Sequence, residues 1–155
     1  MGRAGRIPRR GRPAGGTEGL MGTLKVSIEN MKGGVALGRQ ENDHTLLLDR
    51  PVATGGTGLG FNGGHLLLLG WGGCFKSNLV AAADARQIEI TRLELEIGGE
   101  TADSPARFVR FSMKVRMDGP EESMKAKLLT IAKNSCIVSN TLASAALMDV
   151  ELQDD

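Results

Sequence analysis

One long apolar segment, residues 65–87, limits what this chain can fold into, because its length and spacing predict a single long helix. Three glycines lie inside it, and each costs about 1 kcal/mol relative to alanine in a helix interior. We therefore expect another helix, a second subunit or a substrate to approach closely at Gly70, Gly72 and Gly73. We interpret Trp71 as a core or interface residue on the stripe formed by Leu67, Trp71, Asn78 and Ala82.

Strand patterns flank this helix on both sides. Near the N-terminus, Leu24, Val26 and Ile28 alternate with polar residues, as in a strand with one apolar face. The predicted strands span residues 24–29, 35–39, 45–49, 88–97, 109–117 and 149–152.

The strand at residues 88–97 has the least regular pattern. Its apolar alternation slips between Ile90 and Leu93, which predicts a β-bulge at that point. Residues 98–105 are expected to connect this strand, as a hairpin, to the strand at 109–117.

Two further helices are predicted before the last strand. Pro120 suits the first position of a helix, and the acidic residues after it suit the positive end of the helix dipole. Ser135 is expected to cap a short second helix that starts at Cys136. The order of strands, long helix, strands, two helices and strand predicts an α+β fold with mainly antiparallel pairing.

Charge is unevenly distributed along the 155 residues. Residues 1–20 hold five arginines and one glutamate, a net charge of +4, which leaves −3 for the remainder of a chain whose total is +1. We expect residues 1–21 to be a disordered basic extension and 22–155 to form one domain. The alternatives for the extension are a targeting segment, or an upstream start with Met21 as the working one.

The acidic body and the aromatic content of 3% give no reason to expect a nucleic-acid partner, since base-stacking modules rely on exposed aromatic residues. No apolar run approaches the roughly 20 residues of a membrane span, so no membrane partner is expected either. The N-terminus lacks the apolar core of a secretory signal. We therefore expect a cytoplasmic protein whose thiols stay reduced.

Cys74 and Cys136 are the residues that could carry redox chemistry. A thiol at its ordinary pKa is mostly protonated at neutral pH, so a nucleophilic cysteine needs a nearby cation or a helix N-terminus. Candidate cations are Arg39, Arg50 and Lys76. One thiolate could reduce a peroxide and become a sulfenic acid, which the second thiol could capture as a disulfide. The alternative is that both are inert buried thiols, which is the commoner fate of a free cysteine.

Two glycine-rich motifs raise the possibility of nucleotide binding. Residues 58–63 match the pattern G-x-G-x-x-G before a helix, but the hairpins that follow do not fit alternating βαβ units. Residues 70–77 resemble a phosphate loop, except that Phe75 stands where glycine is required. The spacing of the cysteines, His44 and His65 is not typical of a metal site, and we expect no metal and no other cofactor.

Two segments carry a resemblance to a known family. Residues 62–75, with Cys74 followed by Phe75, and residues 135–152, with Cys136 followed by a closing strand, resemble the OsmC/Ohr family of organic hydroperoxide reductases. The resemblance implies antiparallel sheets packed on a long central helix, in an intertwined homodimer with two active sites at the interface. It implies that Cys74 is the peroxidatic thiol and Cys136 the resolving thiol. It also implies hydrophobic organic hydroperoxides as substrates and a dithiol of the lipoyl type as reductant.

The sequence departs from the family pattern at three places. Gly64 replaces the family's glutamate, and Ile137 replaces the proline after the second cysteine. Val35 stands where the family's arginine follows a glycine pair, which makes Arg39 the nearest candidate for the activating cation. Three functions follow as hypotheses: a cysteine peroxidase, a non-peroxidase relative that binds a small apolar ligand at the dimer interface, and a nucleotide-binding protein.

Overall fold

The computed structural model describes residues 22–41 and 44–153. The predicted basic extension at residues 1–21 lies outside the described residues, and the domain boundary at residue 22 stays a prediction. The elements in chain order are β1 (Val26–Asn30), β2 (Ala36–Gln40), β3 (Thr45–Leu48), α1 (Gly63–Asp84), β4 (Arg92–Asp103), β5 (Ala106–Asp118), α2 (Glu122–Ser135), α3 (Ile137–Ala143) and β6 (Leu147–Leu152). A single 3₁₀ turn, Val52–Thr54, lies between β3 and α1.

The strands form two separate three-stranded sheets, β1-β2-β3 and β4-β5-β6. The predicted α+β class is confirmed, and neighbouring strands pair antiparallel except β5 and β6, which pair parallel. The exception has a topological reason: α2 and α3 form a crossover between these strands, so the chain enters β6 in the direction in which it entered β5.

One face of the second sheet carries the core. Alternate residues of β5 are buried there, and they pack against side chains that recur every three or four residues on α1 and α2. The fully or almost fully buried side chains of this core are Trp71, Phe75, Leu79, Phe111, Met113, Val115, Met117, Leu128 and Ala132.

The helix α1 begins two residues before its predicted start. The side chain of Asn62 accepts a hydrogen bond from the backbone N–H of His65 at 2.9 Å, which caps the helix there. The helix ends at Asp84, before the left-handed backbone of Gln87 at φ 56°. By length and composition α1 could also cross a membrane, because its most apolar part has a mean hydropathy of 1.3. The sequence did not lead us to expect this. A helix in a protein core can be equally long and apolar, and the buried side chains of α1 pack in the core described above.

Four local predictions were wrong, although β4 and β5 do form the predicted hairpin. The connection predicted at 98–105 is mostly strand: β4 continues to Asp103, and its bulge lies at Glu100/Thr101 rather than between Ile90 and Leu93. Pro120 precedes α2, whose N-cap is Glu121. Ser135 is the last residue of α2, and Cys136 itself caps α3.

Candidate functional site

The fold brings Cys74 and Cys136 together. Cys74 lies in the middle of α1 and Cys136 at the junction of α2 and α3, and these helices pack against each other. Both thiols are free; Cys136 is fully buried, whereas Cys74 is partly exposed. The two thiols lie close enough for each to act on the pKa of the other. The sequence contained both cysteines but could not reveal that they are in contact.

A buried hydrogen-bond network holds Cys136. Its Sγ accepts from the backbone N–H of Ser139 at 3.4 Å. The Oγ of Ser139 accepts in turn from Nε1 of Trp71 at 2.9 Å, and both of these side chains are buried. The Trp71 ring meets the ring of Phe111 edge to face, with centroids 5.9 Å apart. The interpretation of Trp71 as a core residue fits its full burial.

Sequence reasoning missed Ser139 as a site residue. A usable signal existed, because a residue three positions after a helix cap is placed to donate its N–H to the cap's side chain. The contact between Trp71 and Ser139 joins positions 68 residues apart, so no local pattern could have revealed it.

The two thiols have opposite pKa shifts. Burial disfavours ionisation of Cys136, but hydrogen bonds from the side chain and backbone of Ser139, from Cys74 and from Val138 outweigh it and lower the pKa of Cys136. Burial and the hydrogen bond with Cys136 raise the pKa of Cys74, against the N–H groups of Val138 and Ile137. Within one chain, Cys136 is therefore the more readily ionised thiol of the pair.

None of the three candidate cations contacts Cys74 within the described residues. Arg39 lies on β2, half exposed, and forms an ion pair with Glu29 at 3.5 Å. Arg50 belongs to the glycine-rich loop, and Lys76 is exposed on α1. The neighbour of Cys74 on its own helix is Asn78, whose Nδ2 lies 3.7 Å from the Cys74 Sγ. The expected lowering of the Cys74 pKa by a cation is thus not met within a single chain: Arg39 pairs with Glu29, and no cation is among the groups with the largest effects on this pKa.

Gly64 occupies an open position at the start of α1. A Cβ added there would lie 3.4 Å from Oδ1 of Asn62 and 3.5 Å from the ring of Phe108, which are ordinary contact distances. The chain therefore has room for a side chain where the family carries its glutamate, but it supplies no carboxylate at this position.

The predicted close approach to α1 is found at one of its three glycines. A Cβ at Gly72 would collide with Cδ1 of Ile97 on β4, so this glycine permits the helix to pack on the sheet. Gly70 and Gly73 are exposed, and nothing lies within 4 Å of where their Cβ atoms would be. No packing within the described chain offsets the cost of these two glycines.

The glycine-rich loop before α1 is organised by an internal carboxylate. Asp49 accepts hydrogen bonds from the N–H of Arg50 at 2.7 Å, the N–H and hydroxyl of Thr57 at 2.9 and 2.5 Å, and the N–H of Leu59 at 3.1 Å. Gly60 passes so close to β3 that a Cβ would lie 2.5 Å from the carbonyl oxygen of Leu47. The N–H of Leu59, which lies inside the 58–63 motif, is therefore occupied by Asp49, and close packing accounts for Gly60.

Replacing Asp49 with asparagine is expected to remove a pH-dependent contribution to stability. The Thr57 hydroxyl, with the backbone donors, lowers the pKa of Asp49 to about 2. Because this lies below the unfolded value near 3.9, the contribution is complete above pH 4–5 and is lost as the pH falls toward 2. Urea unfolding of both proteins between pH 7 and pH 3 checks this: their stability difference should shrink on acidification. A constant difference would contradict the assignment.

The first sheet leaves an apolar groove open. Val26 and Ile28 are 77% and 66% exposed, although both belong to the apolar face predicted for β1. Together with residues of β2, β3 and α1 they line a cavity of about 340 Å³. Within the described residues, no group of three His, Cys, Asp or Glu side chains could hold a metal ion.

Solved structures of several bacterial proteins share this fold. A protein from Psychrobacter arcticus described as a putative osmotic stress induced and detoxification response protein has a TM-score of 0.76 and 15% identity, over 87% of this chain and 99% of that one. The organic hydroperoxide resistance protein OsmC of Legionella pneumophila has a TM-score of 0.70 and 17% identity, over 87% and 99%. OhrB of Bacillus subtilis, also an organic hydroperoxide resistance protein, has a TM-score of 0.64 and 19% identity, over 86% and 100%.

At these identities the structures establish the fold alone, and no curated protein sequence matches the chain. The sequence pattern of the OsmC-like proteins, however, matches residues 56–151, which is more than half of the chain and includes both cysteines. This chain therefore belongs to the family of OsmC-like proteins.

Proposed function

We propose that this protein reduces organic hydroperoxides with Cys74 as the peroxidatic thiol and Cys136 as the resolving thiol. The observation that carries the proposal is the proximity of these two free thiols, which come from different helices and act on each other's pKa. Two proteins that share the fold are described as organic hydroperoxide resistance proteins, which agrees with this chemistry.

The difference in exposure supports this division of roles between Cys74 and Cys136. Cys74 is partly exposed and can meet a peroxide, whereas Cys136 is fully buried. The Cys74 thiolate attacks one oxygen of the O–O bond; the other oxygen leaves with a proton as the alcohol, and Cys74 becomes a sulfenic acid. Cys136 then attacks the Cys74 sulfur, its proton leaves with the hydroxide as water, and a disulfide forms. A dithiol of the lipoyl type returns both cysteines to thiols by two exchange steps.

Activation of Cys74 requires a group that its own chain does not place beside it. We propose that a homodimer supplies this group, and that Arg39 on the N-terminal sheet of one chain approaches Cys74 of the other. A guanidinium beside the sulfur would favour the thiolate and offset the raised pKa of Cys74. Because the cycle needs reduced thiols at rest, we propose that it takes place in the cytoplasm.

Two uncovered surfaces support the homodimer. The groove of the first sheet exposes Val26 and Ile28, which a monomer would leave in water. On α1, Gly70 and Gly73 are exposed and uncontacted, so a second chain could approach this helix closely. A partner that covered both surfaces would bury apolar area and offset the cost of the two glycines.

Replacing Val26 with aspartate is expected to dissociate this dimer, because the interface would have to bury an unpaired charge. Val52 provides a matched control: it is 71% exposed, compared with 77% for Val26, and lies on the 3₁₀ turn outside the groove. Analytical ultracentrifugation should find dimers for the unmodified protein and Val52→Asp, and monomers for Val26→Asp. A monomeric unmodified protein, or a Val26→Asp dimer as stable as the control, would refute the proposed interface.

A peroxide-consumption assay tests the proposed activity. The reduced protein is mixed with an organic hydroperoxide and a dithiol, and the loss of peroxide is followed. We expect saturable, catalytic loss of peroxide with the dithiol. With a monothiol the loss should be much slower, because a monothiol has poor access to the buried sulfur of Cys136 when it reduces the disulfide. No catalysed loss with any dithiol would contradict the proposal.

A second function is favoured by one departure from the family pattern. Gly64 supplies no carboxylate to orient a cation, and the apolar groove of the first sheet could accept a small apolar ligand. A chain of this type could bind such a ligand at the dimer interface without reducing it. Saturable thermal stabilisation by an apolar compound, in a protein that consumes no hydroperoxide, would move this function to first place.

A further inference from the structure

We propose that Ser139, oriented by Trp71, is a positioning residue that holds the Cys136 sulfur as a hydrogen-bond acceptor, ready to attack oxidised Cys74. The proposal rests on the function proposed above and adds the means by which the resolving thiol is prepared. It is carried by a directed chain of buried contacts from Trp71 through Ser139 to Cys136.

The direction of this chain follows from the donor chemistry. An indole nitrogen can only donate a hydrogen bond, so the 2.9 Å contact from Nε1 of Trp71 requires the Ser139 oxygen to accept. The hydroxyl proton of Ser139 is then left for another acceptor. Ser139 is only 2% exposed, so water is largely excluded, and its side chain forms a hydrogen bond with Cys136.

Ser139 thus directs two donors at one sulfur. Its backbone N–H lies 3.4 Å from the Cys136 Sγ, and its hydroxyl acts as a further donor that lowers the pKa of Cys136. Both favour the thiolate over the thiol, against the burial of Cys136. Among the groups with the largest effects on the pKa of Cys136, Cys74 is the titratable one.

The same arrangement serves the resolving step. Cys136 first gives up its proton and then attacks the Cys74 sulfur as a thiolate. The hydroxide released from the sulfenic acid takes up a proton and leaves as water. A lower pKa makes a thiolate less nucleophilic, but only with a Brønsted slope of about 0.4–0.5. While the pKa stays above the working pH, the gain in thiolate fraction is therefore larger than the loss of nucleophilicity. Ser139 should therefore accelerate disulfide formation and leave the first attack on peroxide unchanged.

The variant Ser139→Ala removes the hydroxyl but keeps the backbone N–H that caps α3. Ser144→Ala is a matched control, because Ser144 ends the same helix with an exposed hydroxyl bonded to the carbonyl of Thr141. Trp71→Phe removes the indole donor and some buried volume but keeps an aromatic ring against Phe111, which provides a second route if Ser139→Ala folds poorly.

Two measurements test the proposal. In rapid-quench experiments with one equivalent of an organic hydroperoxide, Ser139→Ala should consume peroxide at the normal rate but form the disulfide about three- to fourfold more slowly, because the tenfold smaller thiolate fraction is partly offset by a more reactive thiolate. In a Cys74→Ser background, Cys136 is the remaining thiol, and its ultraviolet titration midpoint should rise by about one pH unit on Ser139→Ala. Trp71→Phe should change both readouts in the same direction, and Ser144→Ala neither.

The titration does not depend on peroxidase activity. A shifted midpoint in a protein that consumes no peroxide would uphold the positioning role and overturn the proposed function alone. An unchanged midpoint and an unchanged rate of disulfide formation in folded Ser139→Ala and Trp71→Phe would overturn the role of Ser139. Equal effects of Ser144→Ala would overturn it as well, because they would reflect a general property of α3.

Discussion

Replacing Cys74 with serine is expected to abolish hydroperoxide turnover, with a loss of about a thousandfold or more, as for removal of a catalytic nucleophile. A serine hydroxyl at neutral pH does not attack an O–O bond, and Cys136 is too buried to take over the first step. The measurement is the rate of organic hydroperoxide loss with a dithiol reductant.

The stability of the Cys74→Ser variant provides the control for this loss. Cys74 is partly exposed, and besides the contact with Cys136 its sulfur has a long contact with Asn78 Nδ2, at 3.7 Å, so serine should cost little stability. Circular dichroism and thermal unfolding should match those of the unmodified protein. A folded Cys74→Ser protein with normal turnover would exclude Cys74 as the peroxidatic residue.

Replacing Cys136 with serine is expected to leave the first oxidation of Cys74 intact and to block the return of Cys74 to the thiol. Serine is a favoured N-cap and can accept from the N–H of Ser139, so α3 should keep its start. Without a second thiol, the Cys74 sulfenic acid cannot close a disulfide, and excess peroxide should drive it to the sulfinic acid. Mass spectrometry of the treated variant should find two added oxygen atoms on Cys74.

The unmodified protein, treated in parallel, should instead lose two hydrogen atoms and form an intramolecular disulfide. Undiminished dithiol-dependent turnover by Cys136→Ser would rule out the resolving role of Cys136. Oxidation of the variant at residues other than Cys74 would argue against both assignments.

The long helix and most strands could be predicted, because apolar spacing reports directly on the period of the backbone. The direction of β6 could not, since a six-residue strand carries the same alternation whether it pairs parallel or antiparallel. The extension of β4 to Asp103 was missed for a similar reason: Gly98 and Gly99 indicate a turn locally, but pairing with Ser112 and Phe111 keeps them in the sheet.

The candidate site was predictable only in its cysteines. Their identity follows from the family resemblance, but their contact depends on how α1 meets α3, which no local pattern encodes. The role of Arg39 stays a prediction, because within one chain this residue pairs with Glu29. In the glycine-rich loop the local pattern was misleading. It suggested a phosphate site, but the carboxylate of Asp49, a residue outside the motif, accepts hydrogen bonds from the loop instead.

The most direct test of the thiol-pair account is a count of free thiols. The fully reduced protein is treated with one equivalent of an organic hydroperoxide, and the thiols per chain are titrated under denaturing conditions. The account predicts a fall from two to none, with peptide mapping locating a disulfide between Cys74 and Cys136. Two thiols remaining per chain would contradict it, and would mean that the fold keeps its cysteines in contact without peroxidase chemistry.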